Sequence, residues 1–203
     1  MPRANVLVFD VGKVLIDWDP RFLYRKIFDD TAKMEWFLGE VCHMTWIVEI
    51  DRGLPMAEAI AERIAVYPDY AEEIRAFDER WMEMVPGTIT GSVDILETLR
   101  RNKVPNYAIT NFGAEKFEVA RQSFPFLDGF DGIVVSGRER LIKPEAAIYR
   151  LLLDRNGLTA GDCLFIDDSL KNVDGARAIG MQAHHFVSPG GLRAELRKHD
   201  FVV

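Results

Sequence analysis

Cysteine is scarce: two residues, Cys42 and Cys163, stand far apart in a chain of 203. Two separated thiols can assemble neither a disulfide framework nor a zinc cluster, and their apolar surroundings predict buried free sulfhydryls. Basic charge is also in deficit. Thirty-two acidic against 25 basic residues leave a formal charge of −7, which repels phosphate backbones at long range and makes nucleic acid an unfavourable partner. Long apolar runs are missing too. The first run ends at Asp10, too short for a secretory h-region or a membrane span, so the expected setting is the cytoplasm, without membrane contact. The chain also lacks internal repeats, low-complexity tracts and long linkers. What is present is ordinary for a globular protein, 48% apolar and 28% charged. At this length roughly 70% of the unfolded chain's surface can be buried, in one large α/β domain or a core carrying a smaller one.

Several short β-favouring runs punctuate the chain: Val6 to Phe9, Tyr107-Ala-Ile-Thr110, Gly132-Ile-Val-Val-Ser136, Cys163-Leu-Phe-Ile166 and a fifth over Ala183 to Val187. Each is apolar without alternation, as strands buried on both faces are. Helical patterns fill the gaps, marked by Val93, Leu96 and Leu99, then by Ala114 to Phe124, Ala147 to Leu153 and Val173 to Ile179. The alternation predicts a doubly wound, mainly parallel α/β sheet with right-handed crossovers. Ligands of such sheets bind outside the carboxyl ends of the strands. Asp10, Thr110-Asn111 and Asp167-Asp168 all fall at or just past a strand end, so they are expected to share one cleft.

Residues 17–86 break the rhythm. This segment has no strong strand, holds all four tryptophans, and shows amphipathic stretches near Phe22 to Phe28, Glu35 to Val41, Met56 to Val66 and Tyr70 to Met84. It reads as a helical cap inserted into a core of residues 1–16 and 87–203, with hinges near Ile16 to Asp19 and Val85 to Thr88.

Four motifs carry chemistry. Asp10-Val11-Gly12 places a carboxylate before a glycine turn, a nucleophile or metal ligand in one reading and a turn residue in the other. In Asp167-Asp168 two adjacent carboxylates repel each other and are costly to desolvate without a cation, and oxygen-only ligation of this kind suits Mg²⁺; a helix N-terminus would account for one Asp but not for both. Thr110-Asn111 offers a hydroxyl, an amide and backbone N–H groups to an anion, or simply caps a helix. Lys143-Pro144-Glu145 puts a cation just before a helix, with Pro144 at the expected first helical position. His184 and His185, adjacent on a strand, point to opposite faces and cannot easily share an ion.

In this order, Phe9-Asp10-Val11-Gly12-Lys13-Val14, Ile109-Thr110-Asn111, Ile142-Lys143-Pro144-Glu145 and Phe165-Ile166-Asp167-Asp168-Ser169 resemble the motifs of the haloacid dehalogenase-like hydrolase superfamily over nearly the whole chain. The segment with Trp46, Glu49, Arg52 and Gly53 resembles its helical-cap subgroup. That resemblance implies a phosphatase of a small phosphorylated metabolite in which Asp10 attacks phosphorus to form an aspartyl phosphate that water then hydrolyses. It further implies Mg²⁺ held by Asp10, the main-chain carbonyl of Gly12 and Asp168, with Asp167 binding directly or through water. Thr110 and the Asn111 N–H would hold phosphoryl oxygens, Lys143 would neutralise developing charge, and Asn172 would orient Lys143 or the nucleophile. The protein would work as a monomer or a homodimer.

Gly12 departs from the pattern. Most phosphatases of this superfamily carry there a second Asp that protonates the leaving oxygen, a role commonly worth about 10²–10⁴ in rate. Its absence resembles a subgroup that includes alpha-glucose-1-phosphate phosphatase, which implies a sugar phosphate or another good leaving group, or a stand-in such as Asp17 or Glu49. Two other readings stay open. A 2-haloacid dehalogenase would need neither metal nor second acid, although such enzymes replace the acidic couplet retained here. A catalytically silent module would bind a phospholigand or a protein through the cap.

Overall fold

A computed structural model describes residues 3–203. Its strands, in chain order, are β1 (Val6–Phe9), β2 (Ile16–Asp17), β3 (Gly87–Thr88), β4 (Asn106–Thr110), β5 (Gly132–Val135), β6 (Cys163–Asp167) and β7 (Gln182–His185). Five form a parallel sheet in the order β5-β4-β1-β6-β7. Alternate side chains of the central strand serve opposite faces. Leu7 and Phe9 join Ile95, Leu99, Leu192 and Leu196 in one apolar layer, while Val6 and Val8 join Ile148, Tyr149, Leu152 and Phe165 in the other. All four β1 residues are therefore buried, as a strand covered on both faces requires.

Register places the chemistry. Phe9 lies opposite Ile166 on β6 and Ala108 on β4, so the next residue, Asp10, emerges beside the ends of both neighbouring strands. β2 and β3 pair antiparallel, Ile16 with Thr88 and Asp17 with Gly87, and bring the two ends of the intervening segment side by side.

Between them run α1 (Arg21–Tyr24), α2 (Thr31–Trp36), α3 (Met44–Asp51), α4 (Met56–Val66) and α5 (Ala71–Glu79), and the sheet's helices follow as α6 (Thr90–Arg101), α7 (Ala114–Ser123), α8 (Ser136–Glu139), α9 (Ala146–Asn156), α10 (Leu170–Ala178) and α11 (Pro189–Lys198). The inserted helices pack around Tyr24, Phe37, Trp46 and Phe77, and this cluster runs on without a break into Phe112 and Phe117 on the sheet side. No helix is long and apolar enough to cross a membrane among the described residues.

Several elements differ from their sequence patterns. The Phe22 to Phe28 run is helical only to Tyr24, and α2 begins earlier than expected because Asp30 accepts a hydrogen bond from the Ala32 N–H at 2.8 Å. Phe37–Val41 then continues as a π-helical turn. α3 has no sequence forecast: its cap is His43, whose Nδ1 accepts from the Trp46 N–H at 3.1 Å, an unusual capping residue. α11 was hidden by Gly190 and Gly191, but Pro189 at its first turn and Ser188 as cap start it well. Pro144 is not the first residue of α9: the Lys143–Pro144 peptide is cis, and the helix begins at Ala146.

Glycine is required at 175. A Cβ there would lie 2.7 Å from both the Cβ and the carbonyl oxygen of Pro144, so α10 can approach the Lys143 loop only without a side chain. Gly175→Ala should therefore lower stability by about 1–3 kcal/mol, the usual cost of overpacking, read as a fall in melting temperature. Gly39→Ala, where the new carbon meets nothing within 4 Å, should show no such fall.

Candidate active site

The strand ends converge as their spacing requires. Asp10 is buried beyond β1, and its Oδ1 accepts from the Val11 N–H at 2.7 Å and pairs with Lys143 Nζ at 2.8 Å. The same ammonium donates to Asp167 Oδ2 at 2.7 Å and to the Ile109 carbonyl at 3.1 Å. All three of its protons are thus engaged. Asp167, fully buried, also accepts from the Ser169 N–H at 2.8 Å and from Asn172 Nδ2 at 3.1 Å to each oxygen. Its acceptor sites are filled, so it acts on Lys143 from behind, while the exposed Asp168 keeps oxygens for an ion.

The Asn111 side chain faces Lys143 rather than solvent. Its Oδ1 accepts from the Lys143 N–H at 2.9 Å and its Nδ2 donates to the Lys143 carbonyl at 3.1 Å. These reciprocal bonds fix the loop that carries the ammonium, so any direct help to an anion falls to the Asn111 backbone. Asn172 orients Asp167, not the nucleophile. The Thr110 hydroxyl is buried at the end of β4 without a hydrogen-bond partner, a state that costs about 1–3 kcal/mol and that an oxyanion ligand would relieve.

Negative charge exceeds positive here. Burial raises the Asp10 carboxyl above the usual range, Lys143 pulls it down, and Asp167 raises it again. Burial followed by Asp167 raises Asp168 in the same direction. Burial alone would lower Lys143, but Asp10 and Asp167 hold it raised, so the ammonium stays protonated. Carboxylate oxygens of Asp10, Asp167 and Asp168 all lie within 4.8 Å of one another. The hard oxygens of this compact set that remain open, on Asp10 and Asp168, fit a divalent cation such as Mg²⁺.

Beside these groups opens a cavity of about 210 Å³, with Gly12, Asn111 and Asp51 in its wall next to Trp18, Ile47 and Trp81. Two tryptophans thus face it, whereas Trp46 packs against Phe77 and Trp36 is exposed. A Cβ at Gly12 would meet nothing within 4 Å, so the missing acid leaves open space. Neither expected stand-in fills it. Asp17 pairs with Lys13 at 3.5 Å in the β2 strand, and Glu49 points outward on α3, exposed and outside the cavity wall. The carboxylate that does line the cavity is Asp51, which sequence reasoning missed. Burial pushes it up to about 7, against the pull of the Gly113 N–H and Lys143. Its backbone carbonyl accepts from Ser136 Oγ at 2.5 Å, and Ser136 in turn accepts from the Phe112 N–H at 2.8 Å, which ties α3 to the β4 loop. The one available signal was its place at the helix end before Arg52-Gly53. His184 and His185 do diverge: His184 approaches Glu195 at 3.9 Å and His185 the Asp168 carbonyl at 2.9 Å. Cys42 and Cys163 are buried free thiols.

Residues 4–180 match the family model of haloacid dehalogenase-like hydrolases. The chain belongs to this family. Sesquiterpene phosphatase astK of Aspergillus oryzae is 27% identical to it over 193 residues, 94% of each chain. A family enzyme from Bacteroides thetaiotaomicron, solved with magnesium and inorganic phosphate, is similar with a TM-score of 0.71 and 23% identity, over 91% of this chain and 95% of that one. L-2-haloacid dehalogenase from Xanthobacter autotrophicus, with chloropropionic acid covalently bound, is similar with a TM-score of 0.62 and 14% identity, over 98% and 85%. These two structural likenesses establish the fold, and the family establishes a hydrolase.

The clustered carboxylates generate a measurable linkage. Asp10 and Asp168, raised in the folded protein, keep protons that an unfolded chain releases near pH 4, so the metal-free fold weakens as pH rises above that value. A divalent cation binds the deprotonated forms and offsets the loss. Millimolar Mg²⁺ should raise the melting temperature more at pH 8 than at pH 5 in a thermal scan; an equal or absent rise at pH 8 would count against the ion site.

Proposed function

We propose that this hydrolase is a Mg²⁺-dependent phosphatase of small phosphorylated metabolites, acting through an aspartyl-phosphate intermediate. The observation that carries the reading is the buried chain Asp10–Lys143–Asp167 beside an unpartnered Thr110 hydroxyl and an acidic couplet. The sesquiterpene phosphatase relative acts in the same chemical class.

Asp10, the Gly12 carbonyl and Asp168 would hold the cation, with Asp167 reserved for Lys143. The cation would supply positive charge where an anionic nucleophile must meet an anionic phosphoryl group. Asp10 attacks phosphorus in line, the P–O bond to the organic group breaks, and that oxygen takes a proton. Water then attacks the aspartyl phosphate, loses a proton, and frees both phosphate and Asp10. Thr110 and the Asn111 N–H hold phosphoryl oxygens, and Lys143 aims the attacking carboxylate and draws it toward its ionised form.

Asp51 fills the role left vacant at Gly12. It is protonated below about pH 7, so it can give its proton to the departing oxygen and then take one from water. The acidic couplet separates this reading from dehalogenation, because carbon–halogen cleavage gives no use to a cation site.

Phosphate release from acetyl phosphate and p-nitrophenyl phosphate, abolished by EDTA and restored by Mg²⁺, is the expected result. Halide release from 2-haloacids unaffected by EDTA would overturn it. Asp10→Asn should remove turnover while leaving the circular dichroism spectrum intact. Asp51→Asn should cut kcat/KM on alkyl phosphates by about 10² or more and change that of p-nitrophenyl phosphate little, since kcat/KM reports the steps up to phosphorylation of Asp10 and that leaving group needs no proton. The loss on alkyl phosphates should be recovered in part by adding Gly12→Asp, and equal losses of kcat/KM on both substrates would show that Asp51 does not protonate the leaving oxygen.

A further inference from the structure

The cavity beneath the inserted helices has a predominantly apolar wall. Nine of its fifteen lining residues are apolar, among them Trp18, Met44, Ile47, Met56, Phe77 and Trp81 from the β2 exit, α3, α4, α5 and the turn after α5. Each charged or amide side chain that reaches it is drawn to a partner within the protein. Lys116 pairs with the Asp78 carboxylate and donates to the Asp78 carbonyl at 2.9 Å. Lys13 faces Asp17 at 3.5 Å and Asp19 at 3.9 Å. Asn111 is held by the Lys143 backbone, and Asp51 is drawn toward the Gly113 N–H. Such a wall offers few free partners for a ring of hydroxyls, and a sugar bound there would leave most of its own donors and acceptors unpaired. An apolar group would lose nothing on entry and would gain by leaving water.

We infer that this cavity receives the hydrocarbon part of an apolar phosphate monoester, an aliphatic or cyclic alcohol esterified to phosphate, in preference to a phosphorylated sugar. The inference rests on the phosphatase reading and adds the substrate class to it. Gly12 and Asn111 stand in the same wall, so a phosphoryl group at Asp10 projects its ester substituent directly into the apolar space. Size agrees: a dry cavity of about 150 Å³ in another protein takes benzene, so about 210 Å³ admits a group of roughly eight to ten carbons. Substrate preference would then run opposite to the sugar phosphate implied by the resemblance to alpha-glucose-1-phosphate phosphatase.

The test compares primary phosphates with similar leaving groups, 2-cyclohexylethyl and 3-methylbutyl phosphate against glucose 6-phosphate and glycerol 3-phosphate, using the full chain with Mg²⁺. The two apolar esters should show kcat/KM at least about 30-fold higher, a gain consistent with burying one hydrocarbon group. Val48→Glu, at a half-buried position in the same wall, should raise KM for the apolar esters about tenfold more than it raises KM for acetyl phosphate, because an acetyl group offers the wall little hydrocarbon. Calorimetry with 2-cyclohexylethylphosphonate gives a reading without turnover: binding should carry a negative heat-capacity change that Val48→Glu diminishes. Equal or better turnover of the sugar and glycerol phosphates, with acetyl phosphate hydrolysed normally, overturns the substrate class and leaves the phosphatase reading in place. Failure to release phosphate from any of them, acetyl phosphate included, overturns both.

Discussion

One buried ammonium group holds the site together. Lys143 bridges Asp10 and Asp167 at 2.8 and 2.7 Å and gives its third proton to the β4 backbone at Ile109. Removing one partner from a buried charge pair commonly costs about 3–5 kcal/mol, because the remaining charge cannot recover its water. Here that constraint joins three strands: β1 through Asp10, β4 through Ile109 and β6 through Asp167. The surrounding polar groups serve the same ammonium at one remove. Asn111 clamps the Lys143 backbone, Asn172 and the Ser169 N–H fill the remaining acceptor sites of Asp167, and Gly175 lets α10 come close enough to support the loop. A reactive carboxylate at the mouth of a buried sheet stays charged only with such a counter-ion.

The inserted helices act on the other side of that carboxylate. Their two strands of attachment, β2 and β3, pair with each other, so the whole unit is carried on one narrow ribbon. It is also latched to the sheet by polar contacts: Ser136 to the Asp51 carbonyl, Arg52 to Glu145 at 2.9 Å, and Lys116 to Asp78. Only the Arg52–Glu145 pair is exposed on both sides, and an exposed pair of this kind is worth little. The apolar wall that results also withdraws Asp51 from water, and that burial raises its carboxyl to about 7.

Much of the sheet was legible in the chain. Val6–Phe9 and Cys163–Asp167 are too uniformly apolar to be anything but doubly covered strands, and a carboxylate at the end of each had to appear where ligands of such sheets bind. The helices were legible where an apolar stripe recurred at helical spacing, as in Met56–Val66 with Met56, Ala59 and Ile60 buried. They were not legible where the cap was a histidine, as at α3, or where glycines diluted the pattern, as at α11. Within the site, Asp10, Lys143 and the acidic couplet stood out because adjacent or strand-end charges need a reason. Asp51 did not, since a lone Asp on an amphipathic helix has the same local pattern whether it meets solvent or a cavity.

Sequence alone therefore determined the layer architecture, the order of the chemical groups along the chain and the absence of a side chain at Gly12, because each depends on neighbours a few residues away. Only the tertiary structure decided that Asn111 holds Lys143 instead of reaching outward, that Asp167 serves the ammonium while Asp168 stays free, and that Asp51 faces the space beside Gly12. Those assignments join residues more than twenty positions apart. They follow from strand register and from where the inserted helices come to rest, which no local periodicity encodes.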